Sequence, residues 1–233
     1  MNRNYSITVA IATYNGEKYI KEQLESILKQ FNKNDEIIIS DDGSADKTIE
    51  IAKSFNDKRI KIINGPKNGV KQNFANAIKN CNGKYIFLSD QDDMWLDNKV
   101  NEVLKAFEKN KCSLVIHDAY ITDSKLNIVE ESFFKYRKSK SGILKNIWKN
   151  SYIGCCMAFS KSIIKYVLPI PNDIEMHDQW IGIVNEKHGK SYFLNKRLIK
   201  YRRHEKNVSS LKHYKFKKML KNRLLFIKRI RGV

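Results

Sequence analysis

Short apolar runs alternate with amphipathic stretches through the first hundred residues. Residues 7–12, Ile7-Thr8-Val9-Ala10-Ile11-Ala12, form an almost unbroken apolar run that predicts a buried strand, closed by the turn Thr13-Tyr14-Asn15-Gly16. Residues 17–30 then place Ile20, Leu24, Ile27 and Leu28 at helical spacing. The pattern repeats. Ile37-Ile38-Ile39 reads as a second strand, ending at Ser40-Asp41-Asp42-Gly43-Ser44, and Asp46 fits the N-cap of a helix over 47–55. Residues 60–63 form a third strand before Asn64-Gly65-Pro66, and Asn68-Gly69 opens a helix through Phe74, Ala77 and Ile78. Tyr85-Ile86-Phe87-Leu88 is a fourth strand. Strands and helices alternating at this period predict βαβ units, and hence a mostly parallel central sheet flanked by helices.

The second half is less regular. A helix is expected over 96–109, a strand over 113–121, and a mobile loop from the Asp123-Ser124-Lys125 turn to Ser141. Helical character returns at 142–149, residues 152–159 are apolar enough for a strand, and 163–167 is a short helix stopped before Pro169 and Pro171. A helix from Met176 to about Lys187 and two short strands, 191–194 and 198–202, complete the body.

The fourth strand runs straight into Ser89-Asp90-Gln91-Asp92-Asp93-Met94-Trp95. Three carboxylates within four residues repel one another, and a hard divalent cation such as Mg²⁺ or Mn²⁺ is the natural compensating charge. A solvated acidic turn with one Asp capping the next helix is the plainer alternative. Position favours the cation, because open α/β sheets bind ligands at the carboxyl ends of their strands. Every strand–loop junction of the first half is polar: Thr13 to Asn15, Asp41-Asp42, Asn68, and Asp90 to Asp93. In a parallel sheet these loops share one edge and converge on one crevice. Neither G-x-G-x-x-G nor G-x-x-x-x-G-K-[ST] occurs, which disfavours a dinucleotide site or a P-loop.

Charge adds a second theme. The 233 residues carry +19, and twelve basic residues against Glu205 alone put +11 of it between Tyr201 and Val233. Residues 212–231 set Phe216, Leu220, Leu224 and Ile227 on one helical stripe among Lys and Arg, the pattern of an amphipathic helix for an anionic bilayer surface. A helix packed on the domain with solvated charges is the alternative. There is no run of about 18 apolar residues and no signal-peptide core, so a cytoplasmic protein is expected, peripheral on the inner face of the plasma membrane. Cys81, Cys112, Cys155 and Cys156 show no C-x-x-C spacing and read as reduced, buried thiols.

These pieces together resemble the family 2 nucleotide-sugar glycosyltransferases. The matching segments are Ala12-Thr13-Tyr14-Asn15-Gly16, Asp41-Asp42-Gly43-Ser44-x-Asp46-x-Thr48, Asn68-x4-Asn73, Asp90-Gln91-Asp92-Asp93, Gly154-Cys155-Cys156-Met157-Ala158-Phe159, His177-Asp178-Gln179-Trp180, and Tyr201-Arg202-Arg203-His204-x2-Asn207-Val208-Ser209. Their form is most similar to the bacterial polysaccharide subset that includes rhamnosyltransferases. The resemblance implies a GT-A fold over 1–210, with a nucleotide-binding half to about 110 and an acceptor half after it, followed by a basic helix over 211–233. It implies an inverting, metal-dependent, non-processive transfer from a UDP- or dTDP-linked sugar to a glycan or lipid-linked acceptor. Thr13, Tyr14, Asn15, Asp41, Asp42, Asn68 and Asp90 would hold the nucleotide, with Arg202 and Arg203 on its phosphates. Asp92, Asp93 and His204 would hold the Mg²⁺ or Mn²⁺. Asp178 would be the general base, and Trp95, Gly154, Cys155, His177 and Trp180 would line the acceptor side. The family position before the base is often a second acid, and here it is His177. Two rival readings stand beside this one: a sugar nucleotidyltransferase, for which the first loop lacks the expected arginine, and a basic nucleic-acid-binding module. The latter leaves the carboxylates unexplained, so nucleic acid is not an expected partner.

Overall fold

The computed structural model describes residues 3–205, 207 and 216–233. Its elements in chain order are β1 (Ile7–Thr13), α1 (Ile20–Leu28), β2 (Glu36–Asp41), α2 (Thr48–Ser54), β3 (Ile60–Asn64), α3 (Gly69–Lys79), β4 (Tyr85–Ser89), β5 (Met94–Trp95) and α4 (Lys99–Asn110). The chain continues through β6 (Leu114–Thr122), β7 (Ile128–Glu130), α5 (Phe133–Arg137), α6 (Ile143–Trp148), β8 (Met157–Ser160), α7 (Ile164–Val167), α8 (His177–His188), β9 (Ser191–Arg202) and α9 (Phe216–Arg231).

One nine-stranded sheet runs β3-β2-β1-β4-β8-β6-β9-β5, with β7 hydrogen-bonded to β6 off this path. The expected parallel pairing holds across β3, β2, β1 and β4. It returns between β6 and β9. Between these blocks β8 pairs antiparallel with both β4 and β6, so the whole sheet is mixed. Every residue of β1 and β2 is buried, which is why those runs show no polar alternation: helices cover both faces. α3 lays Asn73, Phe74, Ala77 and Ile78 against β1 and β2, as the apolar spacing required.

The irregular half departs from its sequence pattern in three places. The loop expected up to Ser141 contains β7 and α5, the latter capped by the Ser132 hydroxyl accepting from the Lys135 N–H at 3.1 Å. Only Met157–Ser160 of the apolar stretch 152–159 is strand; Gly154–Cys156 is a 3-10 turn, buried without any ladder of its own. The two short strands expected at 191–202 are one strand, β9, whose register against β6 shifts twice, opposite His117, Asp118 and Tyr120.

Parallel register fixes the crevice. Thr13 lies opposite Asp41, Asp41 opposite Asn64, and Ile11 opposite Ser89. β1, β2 and β3 therefore end level and β4 two residues earlier, and their outgoing loops share one edge. Glycine secures the opposite end of β1: a Cβ at Gly83 would lie 2.5 Å from the Ile7 carbonyl carbon and the Thr8 nitrogen, both backbone atoms. Gly83→Ala is therefore expected to lower the unfolding free energy by about 1–3 kcal/mol, the usual range for overpacking. Urea denaturation should show a lower midpoint at an unchanged slope, and an unchanged midpoint would contradict this packing.

Candidate active site

The first loop is stitched to its neighbours by backbone hydrogen bonds. Gln91 accepts from the Tyr14 N–H at 3.0 Å and donates back to the Tyr14 carbonyl at 3.1 Å. The Asn15 N–H reaches the Ser44 hydroxyl at 2.9 Å, and the Asn15 side-chain oxygen accepts from the Ala45 N–H, also at 2.9 Å. Asn15 adopts a left-handed conformation at φ 49°, which Asn tolerates better than most residues. Tyr14 is left 59% exposed with its ring free of the core.

Asp41 is occupied within its own loop. It accepts from the Thr13 hydroxyl at 2.8 Å, the Ser44 hydroxyl at 2.6 Å, and the Gly43 and Ser44 N–H groups at 3.1 and 2.8 Å. Asp42 accepts from the Lys67 and Gly69 N–H groups at 2.6 and 2.8 Å, so it anchors the loop that carries Asn68. Asn68 itself is exposed and makes no side-chain cap for α3.

The acid loop divides its charges by direction. Asp92 faces His204, with Oδ2 2.8 Å from Nε2, and Asn207 reaches the same oxygen at 3.3 Å. The His204 ring stacks on Tyr19 at 4.9 Å. Asp93 is fully buried and accepts from the Arg202 backbone N–H at 3.0 Å through Oδ1, while its Oδ2 has no hydrogen-bond partner. Burial and the Asp92 charge push the Asp93 carboxyl up to about 7. Asp90 is driven well above the ordinary carboxylate range by burial and then by Asp93, Asp92 and Asp178. Among the described residues, Asp90, Asp93 and Cys155 offer ligand atoms within 4.8 Å of one another. The Cys155 thiol is itself raised far up by burial, so it is inert as a nucleophile.

Arg202 braces this loop from behind. Its Nε donates to the Asp92 carbonyl at 2.7 Å, Nη1 to the Ser124 carbonyl at 2.9 Å, and Nη2 to the Glu22 carboxylate. The guanidinium also sits 4.7 Å from the Tyr19 ring centre. Arg203, its neighbour, is less buried and donates to the Tyr201 hydroxyl at 2.9 Å. Val208 and Ser209 of the same motif lie outside the described residues.

On the acceptor side, Asp178 is the second residue of α8 and 8% exposed. It accepts from its neighbour's Gln179 N–H at 2.5 Å and from the Asn150 amide at 3.2 Å, and the Gly154 N–H also points to it. Burial outweighs these bonds and raises its carboxyl to about 6. His177 stacks on Phe74 at 4.1 Å with both ring nitrogens unpartnered, and burial lowers it to about 3, so it is a neutral imidazole. Gly154 is required here, because a Cβ would meet His177 Nε2 at 2.9 Å. The two tryptophans expected on the acceptor side point inward instead. Trp95 is 3% exposed against Phe87, and Trp180 is 1% exposed with its indole N–H on the Val167 carbonyl at 2.8 Å.

Three supporting residues escaped the sequence reading. Gln91 and Asn150 are ordinary polar residues whose partners are remote in sequence, so no local signal marks them. Lys99 did carry a signal, a lysine among the apolar positions of a helix. It is fully buried, donates to the Cys155 carbonyl at 2.9 Å, and lies 3.9 Å from the Trp95 ring centre. Desolvation lowers it to about 8, although the nearby thiols, Asp93 and Asp90 oppose that shift.

Parallel strands, an acid loop at their carboxyl ends and a buried Asp178 carboxyl near enough to act on Asp90 are the arrangement of a GT-A fold. The profile described as "Glycosyl transferase family 2" matches residues 8–168, and the chain belongs to that family. It is 29% identical to the dTDP-rhamnosyl transferase RfbG of Shigella flexneri, over 84% of this chain and 72% of that protein. It is 26% identical to the UDP-Glc:alpha-D-GlcNAc-diphosphoundecaprenol beta-1,3-glucosyltransferase WfgD of Escherichia coli, over 92% of this chain and 84% of that one. Among solved structures, S. aureus TarS 1-349 in complex with UDP-GlcNAc shares the fold at a TM-score of 0.74 and 20% identity, covering 95% of this chain but only 66% of its own. Membership in this family sets aside the nucleotidyltransferase and nucleic-acid readings.

The raised Asp178 carboxyl has a measurable signature. An unfolded aspartate ionises near 3.9, so the folded chain keeps a proton here that the unfolded chain has already released. The cost of ionising Asp178 is fully present above its folded value of about 6 and gone below the unfolded one. Asp178→Asn should therefore stabilise the protein by about 1–3 kcal/mol at pH 8 and progressively less between pH 6 and pH 4. Urea unfolding across that range measures it; a pH-independent effect would show that the carboxyl is unperturbed.

Proposed function

We propose that this chain transfers one sugar, or a few, from a nucleoside-diphosphate sugar to a hydroxyl acceptor by direct displacement, inverting the anomeric centre. The observation that carries this reading is the pairing of a buried Asp178 with the acid loop: Asp178 is close enough to raise Asp90 electrostatically, and a carboxyl near 6 is largely ionised at neutral pH yet basic enough to take a proton.

In this reading the acceptor hydroxyl gives its proton to Asp178 as its oxygen attacks the anomeric carbon. The bond from that carbon to the diphosphate breaks, and the electron pair leaves with the nucleoside diphosphate. Asn150, Gly154 and the Gln179 N–H hold Asp178 in place for this. His177 is a neutral imidazole sealed between Phe74 and Gly154, so it packs beside Asp178 without adding charge to it. Tyr14 and Asn15 form the rim against the base and ribose, on the frame that Asp41, Asp42 and Gln91 build.

The donor set fits a hard divalent cation. Among the described residues the acids whose ligand atoms converge are Asp90 and Asp93, beside Cys155, and Asp93 brings an unsatisfied buried carboxylate oxygen; Asp92 and His204, bonded to each other at 2.8 Å, stand beside them and would supply further oxygen and imidazole ligands. Mg²⁺ or Mn²⁺ held there would neutralise charge on the departing diphosphate, which is Lewis-acid work. The relatives' own descriptions, dTDP-rhamnosyl and UDP-Glc, support a pyrimidine nucleotide donor, and the diphosphoundecaprenol in the second supports a lipid-linked acceptor. Synthesis of a bacterial surface polysaccharide at the inner face of the plasma membrane fits both.

A screen of UDP- and dTDP-sugars for metal-dependent hydrolysis tests this. Asp92→Asn should lose the Mn²⁺-dependent part of donor binding by calorimetry. Asp178→Asn should bind donor normally, with transfer reduced about 10²–10⁴-fold, the usual worth of a positioned base. Normal transfer by Asp178→Asn would remove the base assignment.

A further inference from the structure

The C-terminal helix has two apolar faces rather than one. Arg223, Phe226 and Ile230 turn inward, Phe226 meeting Trp180 at 5.9 Å. Arg229 locks the helix with a forked pair on Asp173 at 2.7–3.1 Å, and Asn222 donates to Glu175 at 2.9 Å. Leu220, Leu224 and Ile227, from the stripe read in the sequence, are left on the outside at 43%, 60% and 36% exposure. The side chain of Phe216 lies outside the description.

A second helix extends this outer stripe. α6 turns Asn146 into the protein but leaves Leu144 83% and Trp148 64% exposed. Arg223 joins the two helices: its guanidinium lies 3.7 Å from the Trp148 ring centre and donates to the Trp148 carbonyl at 2.9 Å. Leu220 and Ile227 lie three before and four after Arg223, at helical spacing, and Leu224 shares the stripe with both, so the exposed apolar side chains of α9 flank the residue that holds Trp148.

The two helices and their flanking chain are strongly basic, although Asp173, Glu175 and Glu186 each bond to them. No Asp or Glu occurs between Glu131 and Asp173, a stretch that carries eight Lys and Arg; residues 216–233 carry seven more and again no acid. Lys145, on α6, is lowered by desolvation and by its neighbours Lys140 and Lys149. Protruding Leu and Trp gain nothing from a nucleic-acid backbone, and a protein partner would have to match this excess of cations. An anionic bilayer matches both features, since apolar side chains enter the headgroup boundary while Lys and Arg meet lipid phosphates. Trp is the side chain that best suits that boundary.

We propose that α6 and α9 together dock this protein on an anionic membrane, with Leu144, Trp148, Leu220, Leu224 and Ile227 entering the headgroup region. The same surface continues into the candidate site: Asn150, two residues past Trp148, donates to Asp178, and Gln179 donates to the Asn146 carbonyl at 2.7 Å. A docked molecule thus presents Asp178 beside the lipid surface. The proposed function enters only in what the membrane would deliver there; docking stands apart from it.

The test uses the full chain with vesicles of phosphatidylglycerol and phosphatidylcholine, against phosphatidylcholine alone. Of the three tryptophans, Trp95 and Trp180 are buried, so Trp148 is the reporter. Co-sedimentation and a blue shift of tryptophan emission are expected with the anionic vesicles only. Trp148→Phe should abolish the shift while retaining most of the sedimentation. The double variant Leu144→Glu/Leu224→Glu should bind at least about 10-fold more weakly, with an unchanged melting temperature and unchanged donor hydrolysis. No sedimentation of the parent chain, or equal sedimentation of the double variant, overturns the proposal. So does a lipid-free dimer that the double variant makes monomeric, or oligonucleotide binding that outcompetes the vesicles. Asp178→Asn should still sediment, which separates failure of docking from failure of the catalytic reading.

Discussion

Mutual repulsion among the carboxylates after β4 is the constraint around which this structure is arranged. Asp90, Asp92 and Asp93 would splay apart in water, yet here they are held in a crevice with Asp178 opposite. What restrains them is hydrogen bonding to positively charged or polarised groups from distant parts of the chain. Arg202 bonds the Asp92 carbonyl with its side chain and Asp93 with its backbone N–H. Lys99 braces the Cys155 carbonyl from within the core. Breaking such a buried set by removing one member typically costs 3–5 kcal/mol, far more than a surface pair is worth. The antiparallel pairing of β5 with β9, Met94 opposite Lys200, brings Arg202 onto the acid loop.

The other acids of the site have structural work. Asp41 accepts four hydrogen bonds and Asp42 two from the backbone, so both shape loops before they touch any ligand. This is economical: a carboxylate that orders a loop presents that loop's free backbone and aromatic groups in fixed positions. Tyr14 is the clearest case, exposed yet fixed through both its backbone groups by Gln91.

Much of the first half was legible because its signals are local. Apolar runs bounded by turns gave β1 to β4, and the parallel connection rule then put Thr13, Asp41 and the acid loop on one edge. The second half was legible only in part, because its strands pair out of order. β8 owes its existence to insertion between β4 and β6, which no short window of sequence announces. Trp95 and Trp180 misled for a related reason. Each stands next to a charged motif, and only the packed structure reveals that the chain direction turns the indole to the core while the carboxylate stays at the crevice. Gln91, Asn150 and Lys99 act through partners 28 to 77 positions away, beyond any periodicity.

The insertion of β8 has a mechanical consequence. Because one strand is hydrogen-bonded to β4 on one edge and to β6 on the other, the two halves of the crevice are welded through a common backbone ladder. Swinging one half against the other would tear that ladder, and each buried amide left bare costs on the order of 1–3 kcal/mol. That ladder opposes hinge bending between the two halves. Admission and release of reactants must fall to the rims of the crevice, above a floor that does not give.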